Sequence, residues 1–258
     1  MSADTVLHAY GVVATGVEVE LPRNGIAGAP VETVEQGAVT ALVSPLDAQR
    51  FGEPAWREHG EDPEWLSAFA TGHQEVLGAV LATSDVLPFR LPGMYDDAER
   101  LGAVLHEQRD LLGRALASVA GHVEWGVKVL RTGVVELQPE ERPRSGRDYL
   151  RRRSEQSGAR ERATEERRTL VSRAYDQVAA AATRSVTNPP QDPALSQRTE
   201  PMLLNSAHLL PRDQEEPFFS VLHAVHGTLQ PHGMTVEVSG PWPPYNFVHL
   251  ASEEVPAR

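Results

Sequence analysis

The chain has 258 residues, 40% of them hydrophobic and 23% charged, with a formal net charge of −12 and no cysteine. This is the composition of a folded globular chain, and it excludes disulfides, thiolate nucleophiles and cysteine-ligated zinc. The negative charge opposes long-range attraction to nucleic acid or anionic lipid, no stretch approaches the roughly 18 apolar residues of a spanning helix, and MSADTVLHAY lacks the basic start and apolar run of a signal peptide. A cytoplasmic chain whose partner is a protein, not nucleic acid or membrane, is expected.

Two modest domains are favoured over one large core at this length. Val6–Val13 (VLHAYGVV) is apolar on both faces, as in a central strand, and the LPRNGIAGAP that follows is a loop. Val31–Val34 and Ala38–Val43 flank Glu35-Gln36-Gly37, the pattern of a hairpin. From about Pro63 to Ala82, Leu66, Phe69, His73, Val76, Leu77 and Val80 recur at helical spacing. VLPFRL (Val86–Leu91) is short, apolar and bounded by proline, hence an edge or terminal strand. A second helix, about Asp96 to Val119, has Leu101, Val104, Leu105, Leu112 and Leu116 on its buried stripe and acidic residues in its first turn, where the helix dipole favours them.

GHVEWGVKVL then alternates Val123, Trp125, Val127 and Val129 against His122, Glu124, Gly126 and Lys128, a strand with one buried face. Arg142 to Arg168 is dense in Arg and Glu and gains an apolar stripe only from Leu170 through Val178. It reads as a long helix or helical pair (about 142–183), solvated first and docked later. After the break at TNPPQDP, Met202–Leu210 is a strand candidate. Phe218, Leu222, Val225 and Leu229 mark an amphipathic helix, and Met234, Val236 and Val238 a last strand. The pattern is α+β in two domains, 1–119 and 120–258, with helices on one face of a small sheet in the second.

Chemistry is sparse, with no phosphate loop, no nucleophile elbow and no His/Cys metal pattern, so no cofactor and no catalytic residue is assigned. Gly25–Gly28 (GIAG) reads as a plain turn, His223, His226 and His232 as surface or cap residues, and His73 as a hydrogen-bonded core histidine. Asp96 and Asp97 are neighbours that cannot face one another on a helix. Arg151, Arg152 and Arg153 open a candidate docking surface for an acidic partner. Ser239–Val248 (SGPWPPYNFV) is the most unusual stretch. Gly240 lets the chain leave the last strand, Pro241, Pro243 and Pro244 stiffen it, and Trp242, Tyr245 and Phe247 bring large apolar area. It either plugs a core edge or anchors a partner. An enzyme using His73, Arg90 or His106 in a groove between the domains is the competing reading, as is a regulatory scaffold.

GPWPPYNFV, together with MLLNSAHLLPRDQEEPFFSVL before it, resembles the C-terminal signature of the gas vesicle protein F/L family (GvpF/GvpL). YGVV at Tyr10, GIAGAPV at Gly25, AVTALVS at Ala38, His73, VLPFR at Val86, GHVEWGVKVL at Gly121 and SGRDYL at Ser145 follow in family order. The departure is Leu91-Pro92-Gly93-Met94 after Arg90, where the family usually has Phe-Gly-Thr. The resemblance implies two α+β domains, the second a modified ferredoxin-like fold with extra helices. It also implies a non-enzymatic role in assembling gas vesicles, hollow protein-walled organelles. The implied partners are the small hydrophobic shell protein (GvpA-type) and other accessory proteins, with no small-molecule substrate.

Overall fold

The structure, a computed structural model, describes residues 5–132, 146–190 and 200–248. They fall into two units, Met1–Trp125 together with Gly240–Arg258, and Gly126–Ser239.

In the first unit the apolar opening run forms β1 (Thr5–Ala14), central in a sheet with β2 (Glu32–Gln36), β3 (Val39–Asp47) and β4 (Leu87–Pro88) in the order β2-β3-β1-β4, while β5 (Met94–Tyr95) also pairs with β1. The antiparallel register against β3 shifts between Ala9 and Gly11, leaving Tyr10 as the extra residue of a bulge. β4 is shorter than the expected Val86–Leu91, and its one proline, Pro88, has no N–H to donate to a ladder.

Two helices escaped the sequence reading, α1 (Ala48–Phe51), capped by Asp47, and α2 (Glu53–His59). Both are too short to display a helical period. α3 (Pro63–Leu81) begins where Asp62 accepts the Glu64 N–H and lays Phe69, His73, Val76, Leu77 and Val80 into the core. Trp65 stacks on Phe69 with ring centroids 5.6 Å apart, and Trp56 meets Phe69 edge-on at 5.0 Å. The single helix expected over 96–119 is two, α4 (Ala98–Glu107) and α5 (Arg109–Val119), bent at Gln108 (φ −95°, ψ 7°). Hydrogen bonds flank that bend, Gln108 N–H to the Val104 carbonyl and Leu112 N–H to the Gln108 carbonyl.

The second unit continues β6 (His122–Arg131) into α6 (Gly146–Ala180), β7 (Arg184–Thr187), β8 (Met202–Pro211), α7 (Glu215–Leu229) and β9 (Met234–Trp242). The strands pair in the order β7-β8-β6-β9. The arginine-rich segment is one helix of 35 residues that buries Ala174 and Val178 and packs on β8 and α7. Phe218, Leu222, Val225 and Leu229 form the buried stripe of α7. β9 runs to Trp242, past the expected end at Val238. Among the described residues no helix is long and apolar enough to cross a membrane.

Candidate functional site

Gly240 lies within β9, two residues before its end, at φ 135°, and a Cβ there would sit 2.9 Å from the Glu124 carbonyl oxygen. Pro241 is exposed, Trp242 half-buried, and Pro243 and Pro244 buried. The proline-stiffened run ends in a turn, in which the Tyr245 N–H donates to the Pro243 carbonyl at 2.7 Å and the Phe247 N–H to the Pro244 carbonyl at 3.2 Å. This turn directs Phe247 (3% exposed) and Val248 inward and packs Tyr245 against the core of the first unit. Although it follows the last strand of the second sheet, the segment belongs to the first unit, whose core has an aromatic-lined surface to receive it.

The tail is held by a residue the sequence reading passed over. Strand alternation puts Glu124 on the polar face of β6, yet it is buried (4% exposed) and its carboxylate accepts two hydrogen bonds from Asn246: backbone N–H to Oε2 at 2.8 Å, side-chain Nδ2–H to Oε1 at 2.6 Å. Burial raises its pKa, and the two Asn246 donors, which favour the ionised form, oppose that rise. The Tyr245 hydroxyl is held neutral by burial and by the Glu124 charge. No local signal could have paired positions this far apart.

Tyr245 reaches His73, ring centroids 6.4 Å apart. His73 belongs to a buried polar cluster. His8 donates from Nδ1 to the Pro92 carbonyl at 2.9 Å, so its Nε2 is the acceptor for the His73 Nδ1–H at 3.0 Å. Burial lowers the His8 pKa to about 3, with positive charge on His73 adding to the effect and the Pro92 carbonyl opposing it. Burial likewise lowers His73 to about 4, opposed by the Phe89 carbonyl. A carbonyl can only accept, so it does nothing for the neutral ring, whose bare Nε2 meets no donor. Beside them the Tyr10 hydroxyl accepts the Ile26 N–H at 3.0 Å and donates to Ser44 Oγ at 2.9 Å, which fixes the GIAG turn (3-10 helix Ile26–Gly28) on the core.

The divergent Leu91-Pro92-Gly93-Met94 segment is part of this architecture. Pro92 supplies the carbonyl for His8, and the Gly93 carbonyl accepts the Ala9 N–H at 2.8 Å. Gly93 sits at φ 56°, where a Cβ would come within 2.7 Å of the Ala9 carbonyl oxygen.

The three residues of the enzymatic reading occupy different settings. His73 is buried, Arg90 is exposed, and His106 is exposed on α4 with Nδ1 3.4 Å from the Gln36 amide. His226 accepts the Val236 N–H at Nδ1, 3.3 Å away. Among the described residues no three His, Asp or Glu side chains gather as metal ligands would. The second unit has its own buried histidine, His208. Ser206 gives its only proton to the Val127 carbonyl, so His208 must donate from Nε2 to Ser206 Oγ at 2.9 Å and accept from Ser185 at Nδ1, 2.8 Å away. Burial lowers its pKa to about 4, so the ring is neutral at pH 7. The network is a satisfied polar core.

Arg153 is exposed on α6, while the side chains of Arg151 and Arg152 lie outside those described.

The sequence matches the profile of the family described as gas vesicle synthesis protein GvpL/GvpF over residues 6–249. It is 34% identical to gas vesicle protein L of a Streptomyces species, covering 99% of this chain and 97% of that protein. Gas vesicle protein F2 of Halobacterium salinarum is 27% identical, with 98% of this chain and 97% of that protein covered. The crystal structure of the gas vesicle protein GvpF from Anabaena superposes with a TM-score of 0.67 at 17% identity, over 96% of this chain and 97% of that one. GvpF from Microcystis aeruginosa gives 0.67 at 19%, over 95% and 99%. These two likenesses establish the mixed α/β fold with antiparallel sheets.

Proposed function

The chain belongs to the GvpL/GvpF family of gas vesicle synthesis proteins, and we propose that it acts as a non-catalytic accessory protein of gas vesicle assembly. In this reading it works in the cytoplasm at the vesicle and binds the hydrophobic shell protein and other accessory proteins. The observation that carries the proposal is the extent of the likeness, which spans 99% of this chain and 97% of a gas vesicle protein L. The physical rationale is that a shell subunit rich in apolar surface aggregates before it polymerises, and an acidic partner of charge −12 keeps such a complex dispersed.

Within this proposal the second domain, the one built on β6 to β9, is a modified ferredoxin-like fold with extra helices. Supporting that reading are the βαββαβ order of β6, α6, β7, β8, α7 and β9 and the strand order β7-β8-β6-β9. The test is to delete the gene in a vesicle-forming host and to capture shell protein on the tagged full-length chain. Loss of vesicles, restored by the gene, with shell protein retained on the chain, is the expected result. Normal vesicles without the gene, together with no capture, would overturn it.

A further inference from the structure

We infer that the projecting half of α6 is a docking face for an acidic helix of a partner protein, engaged through Arg153, Arg160 and Arg167. At 1.5 Å per residue α6 is about 50 Å long, yet the buried residues it contributes, Ala174 and Val178, lie in its last two turns. Between 153 and 169 every described side chain is exposed except Gly158 and Arg167, which are half-buried. That half of the helix is built without a core to join.

Its charges are not scattered. Arg153, Arg160 and Arg167 recur every seven residues, and at 100° per residue they fall within ~40° of one another, on the line that continues into Ala174. Ser157 and Thr164 occupy the positions between them. Glu161, Glu165 and Glu166 lie at least ~80° away around the helix. Accordingly, none of the three arginines forms an ion pair among the described residues. A solvated helix stabilised from within would instead alternate charges at i and i+4 along one face. Here the seam that is apolar where α6 docks becomes cationic where it projects.

Charge complementarity names the occupant. α6 carries nine arginines against six carboxylates in a chain of net charge −12, so it is a local positive surface on an acidic protein. Three guanidinium forks about 10 Å apart along a helix match carboxylates repeated every seventh residue on a second helix. The short Ser157 and Thr164 side chains between the forks permit close approach. The inference rests on the reading of this chain as an assembly partner, to which it adds the face used and the chemistry of what binds there.

The test uses the full-length protein and a labelled helical peptide of four heptads, about 28 residues, with Glu at every seventh position. Three proteins are compared: wild type, R153E/R160E/R167E, and R147E/R162E/R173E on the opposite face, with helicity checked by circular dichroism. The wild type should bind the peptide, the first variant ~tenfold or more weakly, and the second nearly as well as wild type. A peptide with Lys in place of Glu should rescue the first variant, and binding should weaken with salt. Equal loss in both variants would mean bulk charge and overturn the inference, as would tighter binding to a thymidine oligonucleotide or no binding to the Glu peptide at low salt. R153Q/R160Q/R167Q gives the same comparison should the reversed charges impair folding. Shell-protein capture by the same proteins separates the two readings. Face-selective peptide binding without capture defeats the proposed function alone, and capture without face selectivity defeats this inference alone.

Discussion

The Glu124 carboxylate receives both the backbone and the side-chain N–H of Asn246, 122 positions further along the chain. Asn246→Ala removes one donor from a buried carboxylate, and hydrogen bonds to charged groups contribute about 1.5–3 kcal/mol. A loss of about 2 kcal/mol at neutral pH is expected in urea unfolding. The pH dependence has a definite sign. Glu124 already has a raised pKa in the folded state, and losing a donor to its ionised form raises it further, so the folded state binds more protons than the unfolded. Stability then falls as pH rises through the window above the ordinary Glu pKa, and the damage done by Asn246→Ala should be smaller at pH 4 than at pH 7. An effect independent of pH would show that Glu124 is not the acceptor that matters.

The buried histidines give the opposite slope. His8, His73 and His208 have folded pKa values of about 3, 4 and 4, below the ordinary 6.5 of an unfolded chain. Between those limits the unfolded state binds more protons, so stability is full above about 6.5 and is lost as pH falls through the window. Each histidine adds up to ~1.4 kcal/mol per pH unit. His208→Gln, measured by denaturant melts between pH 7 and pH 4, should flatten the slope by about one proton even if it lowers stability throughout.

Phe247 and Trp242 should separate anchoring from recognition. Phe247 is 3% exposed, so Phe247→Ala is expected to cost about 3–5 kcal/mol. Trp242 is half-buried, and Trp242→Ala should cost clearly less in melting temperature. If Trp242 serves recognition, that variant retains less shell protein in a pull-down. An unchanged pull-down confines the residue to structure.

Gly93→Ala tests the divergent loop. The substitution must accommodate both a left-handed φ and a Cβ 2.7 Å from the Ala9 carbonyl, so a loss of about 2 kcal/mol or more is expected by thermal melting. An unaffected melting temperature would mean that the loop is not braced on β1.

Amide exchange should divide α6 in two. Protection is expected over 170–180, where Ala174 and Val178 are buried, and rapid exchange over 153–169. Uniform protection would show that the projecting half packs on something within the isolated chain.

How legible all this was depended on whether the signal was local. β1, α3, α7 and β8 announce themselves through runs or stripes several residues long, and His73 could be read as a core residue because it sits in such a stripe. α1 and α2 are shorter than the window in which a period can be recognised. The bend at Gln108 escaped because the apolar spacing of α4 and α5 continues across it. The tail showed its rigidity and its aromatic weight in sequence, since proline and aromatic side chains act through their own covalent structure. Its destination did not show, because that depends on Glu124 breaking the alternation of β6, and a buried carboxylate is indistinguishable from a solvated one until its donors are in place.

The bond from the Val236 N–H to His226 bears on association between chains. β9 is the last strand in the order β7-β8-β6-β9, so its outer margin would present a row of backbone donors to any passing strand. At Val236 an imidazole already occupies the donor. That margin is therefore interrupted as a template, and β9 resists recruiting another chain edge to edge into a growing, cross-linked sheet.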